Sequence, residues 1–142
     1  MKKFLGAPYP IEKNPNGFLY SQSGINQIKA DMLILLLTNP GERVMNPAYG
    51  TPLKKLIFEP NDEILKQKAR NIIFNSISRW EPRVVINQVE VLTNIENSSL
   101  NSNDDLTEKS HILFVRIIFI DPQNIQQVQE LTLEVPLAGT GA

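Results

Sequence analysis

Four carboxylates, Glu42, Glu59, Asp62 and Glu81, are the side chains of this sequence that could do acid–base work. Two carboxyl groups about 5–9.5 Å apart in a cleft can cleave a glycosidic bond, one as general acid and the other as nucleophile or base. Each of the four also has an ordinary structural use: a turn exit, a turn, a helix cap and an interface charge. Arg79 and Arg83 flank Glu81 and favour its ionised form, which is the wrong form for a general acid. His111 is the single histidine; no serine or aspartate stands at a spacing that would make a hydrolase triad with it. One histidine and no cysteine exclude a multi-histidine or thiolate metal site and a cysteine nucleophile. No glycine-rich phosphate loop is present. The expectation is a protein with no cofactor, no metal and no catalytic residue, and the enzyme reading ranks below a structural one.

Glu81 raises a different question. Pro82 disfavours helical geometry for Glu81 and cannot donate to the preceding turn, so the helix before it should stop near Trp80. A carboxylate just past a helix C-terminus faces an unfavourable dipole, so Glu81 needs a partner or full hydration. A solvated turn or a local pair with Arg83, worth little at the surface, answers that need and is the favoured reading from these five residues alone.

The elements around this point change character at Arg83. Upstream the apolar period is helical. Ile25, Ile28, Met32, Leu35 and Leu36 make one stripe, with Ser23 as the expected N-cap and Asp31 on the polar side. Pro40 and Gly41 suit the centre of a type II turn, with Glu42 and Arg43 at its exit. A short helical turn around Leu53, Leu56 and Ile57 follows. Asn61 or Asp62 can then cap a second long helix, whose stripe runs Ile64, Leu65, Ala69, Ile72, Ile73, Ser76, Ile77 and Trp80. Lys66, Lys68 and Arg70 lie off that stripe and read as a solvated face.

Downstream the period is two. Residues 84–93 put Val85, Asn87, Val89 and Val91 on one face and Val84, Ile86 and Leu92 on the other. Residues 94–109 form a polar loop, and 112–120 a nearly continuous apolar run that predicts a central strand covered on both faces. Asp121 to Asn124 make a turn. In 126–135, Leu131, Leu133 and Val135 share a face with Gln127 and Gln129, while Val128, Glu130, Thr132 and Glu134 lie opposite. That pattern is a half-exposed edge strand, blunted by Glu130 and Glu134. The predicted fold is α+β: two main helices followed by a three-stranded antiparallel β-meander, with the helices on one face. Residues 1–22, with Pro8, Pro10 and Pro15 among isolated rings (Phe4, Tyr9, Phe18, Tyr20), read as an extended arm that docks by its aromatics. Residues 23–136 read as one domain and 137–142 as an unstructured tail.

The chain has 142 residues, 42% of them hydrophobic, enough for one domain with a real core. A net charge of −1 argues against a broad nucleic-acid footprint. Prolines break any signal-peptide core, and no stretch approaches the roughly 20 apolar residues of a membrane span. The expected partners are proteins, not nucleic acid or membrane.

Three segments carry a resemblance: Leu35 to Met45; Pro47-Ala48-Tyr49-Gly50 continuing to Phe58-Glu59-Pro60-Asn61-Asp62; and Arg79-Trp80-Glu81-Pro82-Arg83. Over roughly residues 23–93 the chain resembles the baseplate wedge and sheath-initiator family of contractile phage tails, which is related to a baseplate subunit of type VI secretion systems and whose members are sometimes labelled lysozymes. The resemblance implies a structural protein of the virion tail baseplate, assembled in the bacterial host cytoplasm. It implies wedge subunits and the tail sheath protein as partners, with tail tube or hub proteins as further ones. Glu81, Pro82 and Arg83 are implied to contact the wedge's helical core bundle, with Glu42 and Arg43 as second-choice contacts. For that second pair a local ion pair tethering the turn is an equal alternative. Gln127, Val128, Gln129, Glu130, Leu131, Thr132 and Leu133 are the expected acceptors of a sheath strand. Substitution of Glu81 or Arg83 by Ala is expected to leave the domain folded and block assembly.

Overall fold

A computed structural model of the chain describes residues 5–60, 62–93, 112–123 and 125–136. Phe4, Asn61, His111, Asn124, the segment 94–109 and the tail 137–142 lie outside the described residues. The order of elements is β1 (Leu5–Gly6), β2 (Gln22–Ser23), α1 (Ile25–Leu37), a 3-10 helix (Pro52–Phe58), α2 (Glu63–Trp80), β3 (Val85–Thr93), β4 (Ile112–Ile120) and β5 (Val128–Pro136). Both helices and an antiparallel sheet of order β3-β4-β5 match the α+β expectation. A second sheet, the β1–β2 ladder with Leu5 opposite Ser23 and Gly6 opposite Gln22, was not expected.

That small ladder explains two departures in the first 25 residues. Ser23 does not cap α1, because its backbone is held extended in β2; Gly24 takes the N-cap position at φ 70° and makes the turn from strand to helix. Among the described residues the arm is tied back by its backbone and not by its rings: Tyr9, Phe18 and Tyr20 are all exposed. The loop after α1 closes as expected. The Glu42 N–H donates to the Asn39 carbonyl across Pro40-Gly41, and Gly41 has the positive φ of 96° that a type II turn requires there. Gly50, at φ 127°, leaves no room for a side chain, since a Cβ would sit 2.6 Å from the Thr38 carbonyl oxygen.

Asp62 caps α2, accepting a hydrogen bond from the Leu65 N–H at 2.9 Å. Leu65, Ala69, Ile73, Ser76 and Ile77 are buried along the helix as the periodicity predicts, but Ile64, one position round from Leu65, is exposed. The helix ends at Trp80, where the Glu81 N–H makes the last helical bond to Ile77 and Pro82 can make none. Lys68 pairs with Glu59 and Arg70 with Glu63, as a solvated charged face would, but the Lys66 side chain, 3.3 Å from Glu63, is only 12% exposed and departs from that expectation.

The core lies between the helices and one face of the sheet. Ile28, Met32, Leu35 and Leu36 of α1 meet Leu53 and Leu56, the α2 stripe, and Val91, Leu113, Val115, Ile117, Phe119, Leu131 and Val135. The alternation in β5 is as read, although the strand begins at Val128 and leaves Gln127 outside it. In β3 the alternation is corrected. Ile86 pairs with Phe119 and Gln88 with Ile118, so Asn87 is an unpaired bulge residue. One extra residue inverts the parity upstream of it. Val85 is therefore 57% exposed while Val84 and Ile86 pack on the core.

A further correction concerns β4, which is covered on one face only. Leu113, Val115, Ile117 and Phe119 are buried, whereas Phe114, Ile118 and Ile120 are half-buried and Arg116 is exposed. The bulge and the one-sided core predict a contrast. Phe119→Ala should lose about 3–5 kcal/mol in urea denaturation, while Val85→Thr should change stability by no more than about 0.5 kcal/mol; an unbulged strand would make Val85 costly.

Candidate protein-binding interface

The end of α2 places Glu81 where its carboxylate opposes the helix dipole, and the fold buries it as well, to 5% exposure. Burial without a counter-charge would be costly, so the site must supply one. It does so through Arg83, two residues on. The Arg83 Nε and Nη2 donate to the two Glu81 oxygens, each at 2.6 Å, a side-on bidentate pair. Nη2 also donates to Asp31 Oδ2 on α1, and Asp31 Oδ1 accepts from Gln27 Nε2 at 2.7 Å. The guanidinium is thus pinned between the end of α2 and the side of α1. These bonds, the one with Glu81 first, push the Arg83 pKa up, against the cost of partial burial.

Arg83 keeps a 35% exposed side chain, and Nη1 has no hydrogen-bond partner among the described residues. Pro82 is exposed. The three residues expected to act together therefore divide: Pro82 and part of Arg83 face outward, and Glu81 lies beneath. This changes the expectation that the motif matters for assembly alone. It also closes an ion pair within the chain.

Glu42 and Arg43 do not pair with each other. Glu42 closes its own turn, accepting from the Asn39 N–H at 2.9 Å and from Asn39 Nδ2 at 2.6 Å, with Lys54 more distant at 3.9 Å. The backbone bond from Asn39 leads in holding its pKa below the usual carboxylate value. Arg43 lies 4.0 Å from the Tyr49 ring centroid, Tyr49 meets Trp80 edge-on at 5.3 Å, and the Arg79 guanidinium lies 5.0 Å from the Trp80 ring. Burial raises the Tyr49 pKa; Arg43 opposes that rise, and the carboxylates of Asp31 and Glu81 add to it. Tyr49 thus joins the turn after α1 to the end of α2.

Sequence reasoning missed Gln27, Asp31 as a partner, and Tyr49. Gln27 and Asp31 stand four apart on one helix face, which is a local signal. The 52-residue separation of Asp31 from Arg83 is not.

The β5 residues form a separate group, joined to the Arg83 cluster by no hydrogen bond or ion pair among the described residues. Among the described residues their strand pairs with β4 alone and is an edge. Along it Leu131 is buried, Gln129 and Leu133 are half-buried, and Val128, Glu130 and Thr132 are exposed, as is Gln127 just before it. Glu130 lies on the exposed outer face of that strand. It reaches across the sheet to Arg116, accepting from Nε at 2.7 Å and Nη2 at 3.1 Å, which holds its pKa down.

The candidate acid residues are engaged elsewhere: Glu59 with Lys68 at 2.8 Å, Asp62 at its helix cap, Glu42 in its turn and Glu81 on Arg83. Among the described residues no cluster of acidic or histidine side chains could hold a metal, and no helix is long and apolar enough to cross a membrane.

The α+β fold is similar to that of several solved structures. A candidate tail lysozyme from Geobacter sulfurreducens is 19% identical at a TM-score of 0.64, over 81% of this chain and 92% of that one. A chain of the anti-feeding prophage baseplate is 20% identical at a TM-score of 0.60, over 97% and 89%. A chain of the type VI secretion baseplate complex is 15% identical at 0.54, over 78% and 90%. No curated protein matches the chain. Residues 22–112 match the model of the family described as baseplate wedge protein gp25, and the chain belongs to that family of structural baseplate components.

Removing the counter-charge of buried Glu81 should be felt in stability. Arg83→Ala is expected to cost roughly 2–3 kcal/mol in chemical denaturation, below the value for a fully buried pair because the guanidinium is partly hydrated. The lowered Glu130 pKa has a definite sign: its contribution is fully present above the unfolded carboxylate value near pH 4.3 and is lost as pH falls through the folded value. Glu130→Gln should accordingly lose less stability than wild type between about pH 5 and pH 3.

Proposed function

We propose that the chain is a structural wedge component that binds other wedge subunits through Arg83 and Pro82, with Arg43 alongside, and that offers β5 to a strand of the tail sheath protein. The observation that carries this reading is the state of Arg83. Two of its nitrogens are fixed by Glu81 and Asp31, while Nη1 is left to an outside acceptor. A guanidinium whose rotamer is already set loses little entropy on meeting a carboxylate, and the fixed fork dictates the approach. Glu81 is on this account a positioning residue and not a contact. An edge strand among residues 127–133 supports the sheath role by main-chain hydrogen bonding, with side chains on alternate faces for register.

On this reading residues 23–136 act as one wedge domain, at the baseplate of a virion tail or of a similar injection machine, put together in the host cytoplasm. Tail tube or hub proteins are further neighbours. The chain performs no catalysis, since each candidate carboxylate is bound to a structural partner.

The test is co-purification of wild type and Arg83→Lys with the wedge subunits and, separately, with the sheath protein, beside a peptidoglycan-clearing assay. Lysine keeps the charge opposite Glu81 but loses the bidentate fork and Nη1. The expected result is wedge binding lost, sheath binding kept and no clearing by either protein. Clearing by wild type that disappears in Glu81→Gln would replace this account with an enzymatic one.

A further inference from the structure

The Arg83 cluster does not end at Asp31. Gln27, one turn earlier on α1, is 6% exposed, and its amide nitrogen holds Asp31 Oδ1. Its Oε1 is buried with no hydrogen-bond partner among the described residues. Above this amide passes the N-terminal arm, at Gly6 of the β1–β2 ladder. A Cβ built on Gly6 would lie 2.2 Å from Gln27 Nε2 and 2.6 Å from Oε1, so the arm's backbone closes directly over the amide. A glutamine tip usually evades such a clash by swinging into solvent. This one is enclosed, and it can yield only by leaving Asp31.

We propose that Gln27 and Asp31 are positioning residues through which the seating of the N-terminal arm sets the orientation of Arg83. With Gly6 seated, Gln27 Nε2 points at Asp31 Oδ1, which turns Oδ2 toward Arg83 Nη2 and leaves Nη1 facing outward. Displacing the arm frees the Gln27 amide, whose unpaired oxygen already favours any geometry that supplies a donor. Asp31 then loses the bond that fixes its carboxylate plane, and Arg83 is held by Glu81 alone. The ligand class that Nη1 would take is a carboxylate, which is where the inference rests on the wedge-binding reading. The coupling itself is a property of the isolated chain.

The experiment is NMR of the Arg83 Nε–H in isotopically labelled isolated protein, with the same variants carried into co-purification with wedge subunits. Gly6→Ala perturbs the seat, Gln27→Leu removes the amide while leaving the arm sequence intact, and Phe18→Ala alters an exposed ring of the arm that touches neither. Gly6→Ala and Gln27→Leu should each shift the Arg83 resonance and hasten its exchange with solvent. The double variant should do no more than either alone, and Phe18→Ala should leave the resonance as in wild type. If Gly6→Ala does not fold, Gln27→Leu alone decides. An unshifted Arg83 resonance in folded Gln27→Leu, or additive shifts in the double variant, overturns the coupling. Loss of wedge binding by wild type with the shifts intact would overturn only the wedge reading.

Discussion

A carboxylate at the wrong end of a helix dipole, buried and therefore in need of a cation, is the constraint on which the arrangement of this molecule turns. Glu81 ends α2, and Pro82 prevents the helix from running on past it. Arg83 must fold back to answer the charge, which fixes where β3 can begin. Because the same guanidinium also reaches Asp31, this ion-paired cluster ties the two helices and the start of the sheet together. Such a pair is weak evidence of added stability, since desolvation offsets much of its attraction, but it discriminates strongly among backbone arrangements. A chain that must seat in a multi-subunit assembly gains from that discrimination.

The sheet obeys a second economy. Its inner face is completed by the helices, while its outer face and its β5 edge are left with exposed and half-buried groups. The Glu90–Arg116–Glu130 ion pairs occupy the centre of that outer face, where a continuous apolar surface would otherwise invite unselective association. On the proposed reading the Arg83 corner and the β5 edge would use different chemistry: one a directional charge, the other main-chain hydrogen bonds.

Much of this was legible in the sequence because local rules decide it. Pro82 stops α2, Asp62 caps it, Pro40-Gly41 makes the turn, and alternating residues define β5. What was not legible depended on residues far apart or on a single inserted position. The Asn87 bulge inverts the parity of Val85 and Ile86, and nothing in their types announces it. Ser23 reads as a helix cap until the β1–β2 ladder claims its backbone. The apolar run of β4 suggests two covered faces, but two helices cover only one. In the Arg83 cluster the Glu81–Arg83 pair is local in sequence, while Asp31 and Gln27 come from the other helix and no local rule announces that they join it.

The most direct measurement is a cryo-EM map of the assembled baseplate in which Arg83 is resolved. The account predicts Glu81 still on Nε and Nη2, with a carboxylate of a neighbouring wedge subunit within hydrogen-bond distance of Nη1. A map in which Arg83 faces solvent, or in which Glu81 has left it to contact the neighbour directly, would contradict the claim that the pair is pre-formed for binding.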